Sequence, residues 1–359
     1  MGGFRSAAEE TTHALCSVGV TSFPIVNALG ELDDPNVEDL TVDDRVLTEA
    51  KASGLTAVNI TIGYTWGDED PYEHTVRDLD LWDEILAAHP DHLLQVLCTD
   101  DIRQAHAEGR IGVIYGFQNA AMLGSEPAGR VRSFADRGVR VIQLTYNQAN
   151  HLGDGSMAPQ NRGLTDLGRE TVAALNDHRI MVDLSHSGER TCLEAARVSA
   201  QPVSINHTGC RALTGHPRNK TDEELRLIAD RGGFVGIYFM PFLVPSGNAG
   251  AADVVEHVLH AVNVCGEDAV GIGTDGPITA VDDLDAHRTH LARQQALRVS
   301  AGAAAAGESG TWPFVEDLRG VGQFRELGRL LEERGYREDR IAKIMGGNFL
   351  ACADRIWTA

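Results

Sequence analysis

Cysteine is sparse and scattered in this chain. Its six copies (Cys16, Cys98, Cys192, Cys210, Cys265 and Cys352) form no CxxC pair. That spacing excludes a zinc-ribbon pattern and a dense disulfide framework, and it reads as reduced thiols in a cytoplasmic protein. Basic residues are also in deficit, 31 against 52 acidic, for a formal net charge of −21. Neutralising a phosphate backbone needs clustered Lys and Arg, so nucleic acid is not the expected partner. No apolar run is long enough to span a bilayer, and MGGFRSAAEETTHALC lacks the basic-then-apolar order of a signal peptide. Neither a GxGxxG fingerprint nor a P-loop is present: GIGTDG at residues 271–276 follows an apolar run but has the wrong spacing.

What the chain does contain is alternation. Short β-branched runs lie at Ala14–Val20, Leu55–Ile62, Ile111–Phe117, Val139–Thr145, Ile180–Ser185, Pro202–Asn206, Gly233–Phe239 and Ala269–Gly273. Segments of helical period separate them, among them Thr165–His178 and Asp222–Arg231, and Leu93–Leu97 reads as an extra edge strand. Eight apolar strands alternating with helices predict a parallel sheet covered by helices. Both a closed barrel and an open doubly wound sheet fit that alternation. The polar residues favour the barrel, because Gln118-Asn119, Tyr146-Asn147, His186, His207 and Asp275 each follow a different strand. In a barrel those carboxyl ends converge on one mouth. The fold expected is therefore an α/β class, single (β/α)₈ TIM barrel over residues 1–359. Ser300–Gly310 would form a loop or a helix end, and Gly320–Glu333 and Glu338–Arg355 would be C-terminal helices.

Two strand ends carry histidine: MVDLSH ends in His186 and VSINH in His207. Neutral imidazoles meeting at a barrel mouth could share a metal ion, or each could hydrogen-bond to a loop. Asp275 closes the last strand, where a carboxylate can ligate a metal or move a proton to and from water. Arg218, in HPRNK, offers a two-pronged clamp for a substrate carboxylate, though surface arginines are common.

The stretches GLTDLGRETVAALNDHRIMVDLSHSGERT, PVSINHTGCRALTGHPRNKTDEELRLIADRGG, VGIGTD and IMGGNFLACADRIW, together with GVRVIQLTYNQAN, resemble the membrane (renal) dipeptidase family of the amidohydrolase superfamily. The likeness runs in the family's order from about Leu93 to the end. It implies a distorted (β/α)₈ barrel with two zinc ions at its mouth and hydrolysis of dipeptides, some with a C-terminal D-residue, while some relatives serve natural-product biosynthesis. By motif, His186 and His207 match the ligands of the second metal. Asp275 matches the last-strand aspartate that ligates the first metal and shuttles a proton, and Arg218 matches the arginine gripping the substrate carboxylate.

Three departures accompany the match. The family's first strand ends in an HxD pair; within THALCS, Leu15 and Ser17 are expected at those positions. Gln118 replaces the bridging glutamate, and an amide brings no charge to two dications. Tyr146 stands for the histidine that polarises the scissile carbonyl, with His151 close by as a substitute. A branch of the family with a GFQN third strand and no HxD pair shares these changes. The expectation is thus at most one zinc ion, on His186 and His207, in an enzyme acting on a small dipeptide or amino-acid-derived amide with a free carboxylate. Gln118, Tyr146, Asn147, His151 and Arg218 would line the substrate site, and Asp275, His186 and His207 would be catalytic. A homodimer is allowed, and no membrane partner is expected. Two other readings remain open: a non-hydrolytic proton-transfer enzyme (tautomerase, epimerase or lyase) in a specialised-metabolite pathway, and a catalytically silent binding homologue.

Overall fold

The computed structural model describes residues 22–357. Its nine parallel strands are β1 (Ile25–Asn27), β2 (Leu55–Thr61), β3 (Leu93–Gln95), β4 (Ile111–Phe117), β5 (Val139–Gln143), β6 (Met181–Asp183), β7 (Ser204–Thr208), β8 (Phe234–Ile237) and β9 (Val270–Ile272). Eight follow the order β1-β2-β4-β5-β6-β7-β8-β9, and β3 pairs with the start of β4 outside that path, as an extra strand. Backbone bonds join the two ends: Ala28 N–H donates to Ile272 O at 3.0 Å, and Asp275 N–H to Leu29 O at 2.9 Å. The result is a distorted (β/α)₈ barrel with C-terminal helices.

The first strand corrects the sequence expectation. Ile25–Asn27 pairs in parallel with β2 and meets the β9 end of the barrel; Ala14–Val20, where the sequence placed this strand, lies outside the described residues. Leu15 and Ser17 lie outside the described residues. The two residues flanking one position at the end of the observed first strand are Leu29 and Glu31.

The helices start where the local chemistry prescribes. Thr165 caps Asp166–Asp177 by accepting from Gly168 N–H at 3.0 Å, and Thr221 with Glu224 forms a reciprocal capping box on Asp222–Asp230. The C-terminal segment, expected as one helix over Glu338–Arg355, is broken into Glu338–Ala342, a π turn, and Asn348–Trp357. Gly346 explains the break, since a Cβ there would lie 2.5 Å from Pro24 O and 3.0 Å from Val26 N. The chain entering the first strand therefore runs against bare backbone. Beyond it, Phe349, Leu350, Cys352, Ala353, Ile356 and Trp357 pack in one cluster with Val26, Ala57, Ile114, Val141, Met181 and Phe234 of the strands.

Toward the mouth the interior turns polar. Asn27, Asn59, Gln143, Asp183 and Asn206 are all buried; the first four bond to backbone or to a neighbouring hydroxyl, while the Asn206 amide has no partner among the described residues. Asn27 exchanges two 2.8 Å bonds with Thr274, and Asp183 Oδ1 accepts from Ser185 N–H and Asn206 N–H, each at 3.0 Å. Gly273 is required at the strand end, because a Cβ would stand 2.0 Å from Asn206 O.

Candidate active site

The strand ends carry the side chains into one region. His186 and His207 have ring centroids 4.9 Å apart, and both rings are buried. Asn147 fixes the first ring. Its Nδ2 donates to the carbonyl of Ala303 at 2.8 Å, which orients the amide, so its Oδ1 accepts from His186 Nδ1–H at 2.7 Å. His186 Nε2 is then a bare lone pair, and it has no partner among the described residues. Gln118 Nε2, a donor, sits 3.3 Å from His207 Nε2, leaving that nitrogen as acceptor. Burial holds both imidazoles well below their ordinary pKa, and the Arg218 charge pushes the same way, so both rings are neutral near pH 7.

Asp275 Oδ2 lies 3.9 Å from His207 Nε2. Its backbone is left-handed, with φ of 59°, a strained conformation that Asp tolerates better than most residues and that is often kept at functional positions. Burial pushes the Asp275 carboxyl up to about 7, with Arg218 and Arg298 pulling it back. Arg218 is 1% exposed; one guanidinium nitrogen donates to Ser185 O at 2.5 Å, and Nη2 has no partner among the described residues. A buried, unsatisfied guanidinium N–H is costly unless something anionic completes it.

A cavity of about 440 Å³ opens onto this arrangement, lined among others by Glu31, Gln118, Tyr146, Asp275, Arg298 and Trp312. The histidines and Arg218 lie behind its wall. Tyr146 stacks on His186 at 4.2 Å and 20°, and Gln118 covers His207. His151, offered by the sequence as a substitute for the family histidine, is exposed and does not line the cavity.

Three cavity residues were missed by sequence reasoning. Glu31 reaches into the cavity beside Asp275, and burial with the Asp33 and Asp275 charges raises its pKa well above the usual carboxylate range. The signal available was the IVN run of residues 25–27, followed after one more residue by Leu29-x-Glu31. Arg298 and Glu308 come from the segment over the mouth, whose helix Leu284–Ser300 has no buried residue and no amphipathic stripe to reveal it.

The residues present do not fit a two-ion centre. Leu29 supplies no ligand, Gln118 no charge, and among the described residues no group of three His, Cys, Asp or Glu side chains is placed to hold a metal. The two imidazole lone pairs, one of them orphaned, fit the nitrogen half of a single-ion site.

A family model described as membrane dipeptidase (Peptidase family M19) matches residues 45–287. Dipeptidase tcpJ of Claviceps purpurea (strain 20.1) is 28% identical over 280 residues, covering 77% of this chain and 58% of the relative. The chain thus spans little more than half the length of that relative, and 55% and 54% of the next two. Among solved structures, an amidohydrolase from Pseudomonas aeruginosa is 32% identical with a TM-score of 0.81, covering 93% of this chain and 97% of that one. A metallo peptidase from Rhodobacter sphaeroides, solved with a phosphinate mimic of the dipeptide L-Ala-D-Ala, shares the fold at 20% identity, a TM-score of 0.75, and coverage of 93% and 99%. A barrel with histidines ending two successive strands and an aspartate ending the last, matched by that model over most of its length, belongs to the membrane dipeptidase family, peptidase family M19.

Proposed function

We propose that this protein is a dipeptidase-like hydrolase acting on a dipeptide or an amino-acid-derived amide with a free carboxylate, with at most one metal ion. The observation that carries the reading is the position of Asp275. Its carboxylate lines the cavity, 3.9 Å from His207 Nε2, on a backbone held in a conformation few residues adopt. In this reading Asp275 takes a proton from the attacking water as its oxygen bonds to the amide carbon. It then returns that proton to the amide nitrogen as the C–N bond breaks. Arg218 receives the substrate carboxylate on its unsatisfied Nη2. His186 and His207 would hold a zinc ion, which when bound supplies Lewis-acid polarisation and a more acidic water. A cytoplasmic location and a place in specialised metabolism belong to the same reading; free thiols at all five described cysteines support the former.

The test is a screen of dipeptides and N-acyl amino acids, followed by two variants. Asp275→Asn keeps the shape and removes the proton transfer, so kcat should fall by roughly 10²–10⁴-fold. Arg218→Ala should raise KM more than it lowers kcat, because a carboxylate grip is made in ground and transition states alike. Near-normal turnover by Asp275→Asn would sink the assignment.

A further inference from the structure

Tyr146 follows β5 at the cavity wall, and the structure surrounds its phenol with a support of its own. Arg298 Nη2 donates to Tyr146 Oη at 3.1 Å. The phenol therefore accepts from a cation while its own proton stays free to be donated. Arg298 is itself fixed: Nε donates to Glu308 at 2.7 Å, and the guanidinium lies 5.9 Å from the Trp66 ring centre and 5.6 Å from that of Tyr146. Since Glu308 neutralises Arg298, the arginine is poorly placed to bind a substrate anion itself. It is well placed to polarise the hydroxyl it touches.

The ring is held as firmly as the hydroxyl, because its face stacks on His186 at 4.2 Å. Tyr146 also stands at a boundary. It lines both the 440 Å³ cavity and a neighbouring chamber of about 210 Å³ that includes Trp66, Asn119 and Asn150. A substrate held in the larger cavity beside Asp275 therefore meets the Tyr146 side chain at its wall. Arg298 arrives on the segment covering the mouth. Two further bonds tie that segment down, Asn147 to Ala303 O at 2.8 Å and His216 Nε2 to Ala306 O at 2.7 Å.

Resting on the hydrolase reading above, we propose that Tyr146 is the hydrogen-bond donor to the substrate carbonyl oxygen as it becomes an oxyanion, and that Arg298 is its positioning residue. No bond to Tyr146 forms or breaks; the phenol donates a hydrogen bond, and the developing negative charge stays on the substrate oxygen.

The experiment uses two probes on the full chain, measured by calorimetry. One is a phosphinate analogue of Ala-D-Ala, whose tetrahedral anion imitates the oxyanion; the other is an N-methylated Ala-D-Ala dipeptide, which keeps a planar carbonyl. Tyr146→Phe, which preserves the stack on His186, should weaken the phosphinate roughly ten- to a hundredfold and leave the planar ligand nearly unchanged. Arg298→Met should weaken the phosphinate to a lesser degree, Arg298→Lys should recover part of the loss, and Arg298→Met should add nothing in the Tyr146→Phe background. Unaltered phosphinate affinity in Tyr146→Phe, or a full Arg298 effect in that background, overturns the proposal while leaving the hydrolase reading intact. Failure of the unmodified protein to bind either probe overturns the hydrolase reading itself.

Discussion

Asn147 and His186 are joined by a 2.7 Å hydrogen bond whose direction is set from the far side of the asparagine, where its Nδ2 holds the Ala303 carbonyl. One buried amide thus selects the His186 tautomer and anchors the segment over the mouth. Asn147→Leu removes both bonds and leaves the ring nitrogen without its acceptor. We expect a loss of about 1–3 kcal/mol in stability, the cost of stranding a buried polar group, measured by urea denaturation. Nitrogen NMR of the same variant should show His186 losing its single Nδ1–H form; a retained tautomer would show that another group selects it.

The metal content follows from the ligands present. After dialysis the protein should carry fewer than two zinc equivalents by elemental analysis, because Leu29 and Gln118 remove ligand and charge from the first-ion position. Leu29→His combined with Gln118→Glu, beside the Glu31 already there, should raise occupancy toward two. Two equivalents in the unmodified protein would refute the assignment.

Asp33 gives a pH-dependent prediction. It lines the cavity, and burial together with the Asp34 charge pushes its carboxyl up to about 6. A carboxyl with a raised folded pKa holds its proton longer when folded than when unfolded. Stability is therefore lost as pH rises from about 4 through 6, and the penalty is constant above that. Asp33→Asn removes the penalty. The variant should be more stable than the parent at pH 8 by on the order of 1 kcal/mol, the gain vanishing below about pH 4. Equal melting temperatures at pH 8 would mean that water reaching the cavity already solvates the charge.

The alternation of β-branched runs and helical segments gave a parallel sheet covered by helices, the polar residues at the run ends favoured the barrel, and seven of its eight strands lie where those runs predict. Each run is a local pattern that needs no partner to be recognised. The same holds for His186, His207 and Asp275, whose place at a strand end is written in the residues just before them. The first strand is different. Ile25–Asn27 is assigned by its pairing with β2 and by the backbone bonds that join it to the β9 end, contacts with residues far along the chain that no local run announces.

Only the tertiary structure decided which groups share the cavity. Glu31 and Asp275 are 244 positions apart, and barrel closure alone puts the Asp275 charge close enough to raise the pKa of Glu31. Arg298 meets Tyr146 from a helix with no buried face, so no local pattern could announce it. Strand identity and catalytic residue type follow from local chemistry. Proximity between distant polar groups is set by how the chain closes on itself, which no short window of sequence contains.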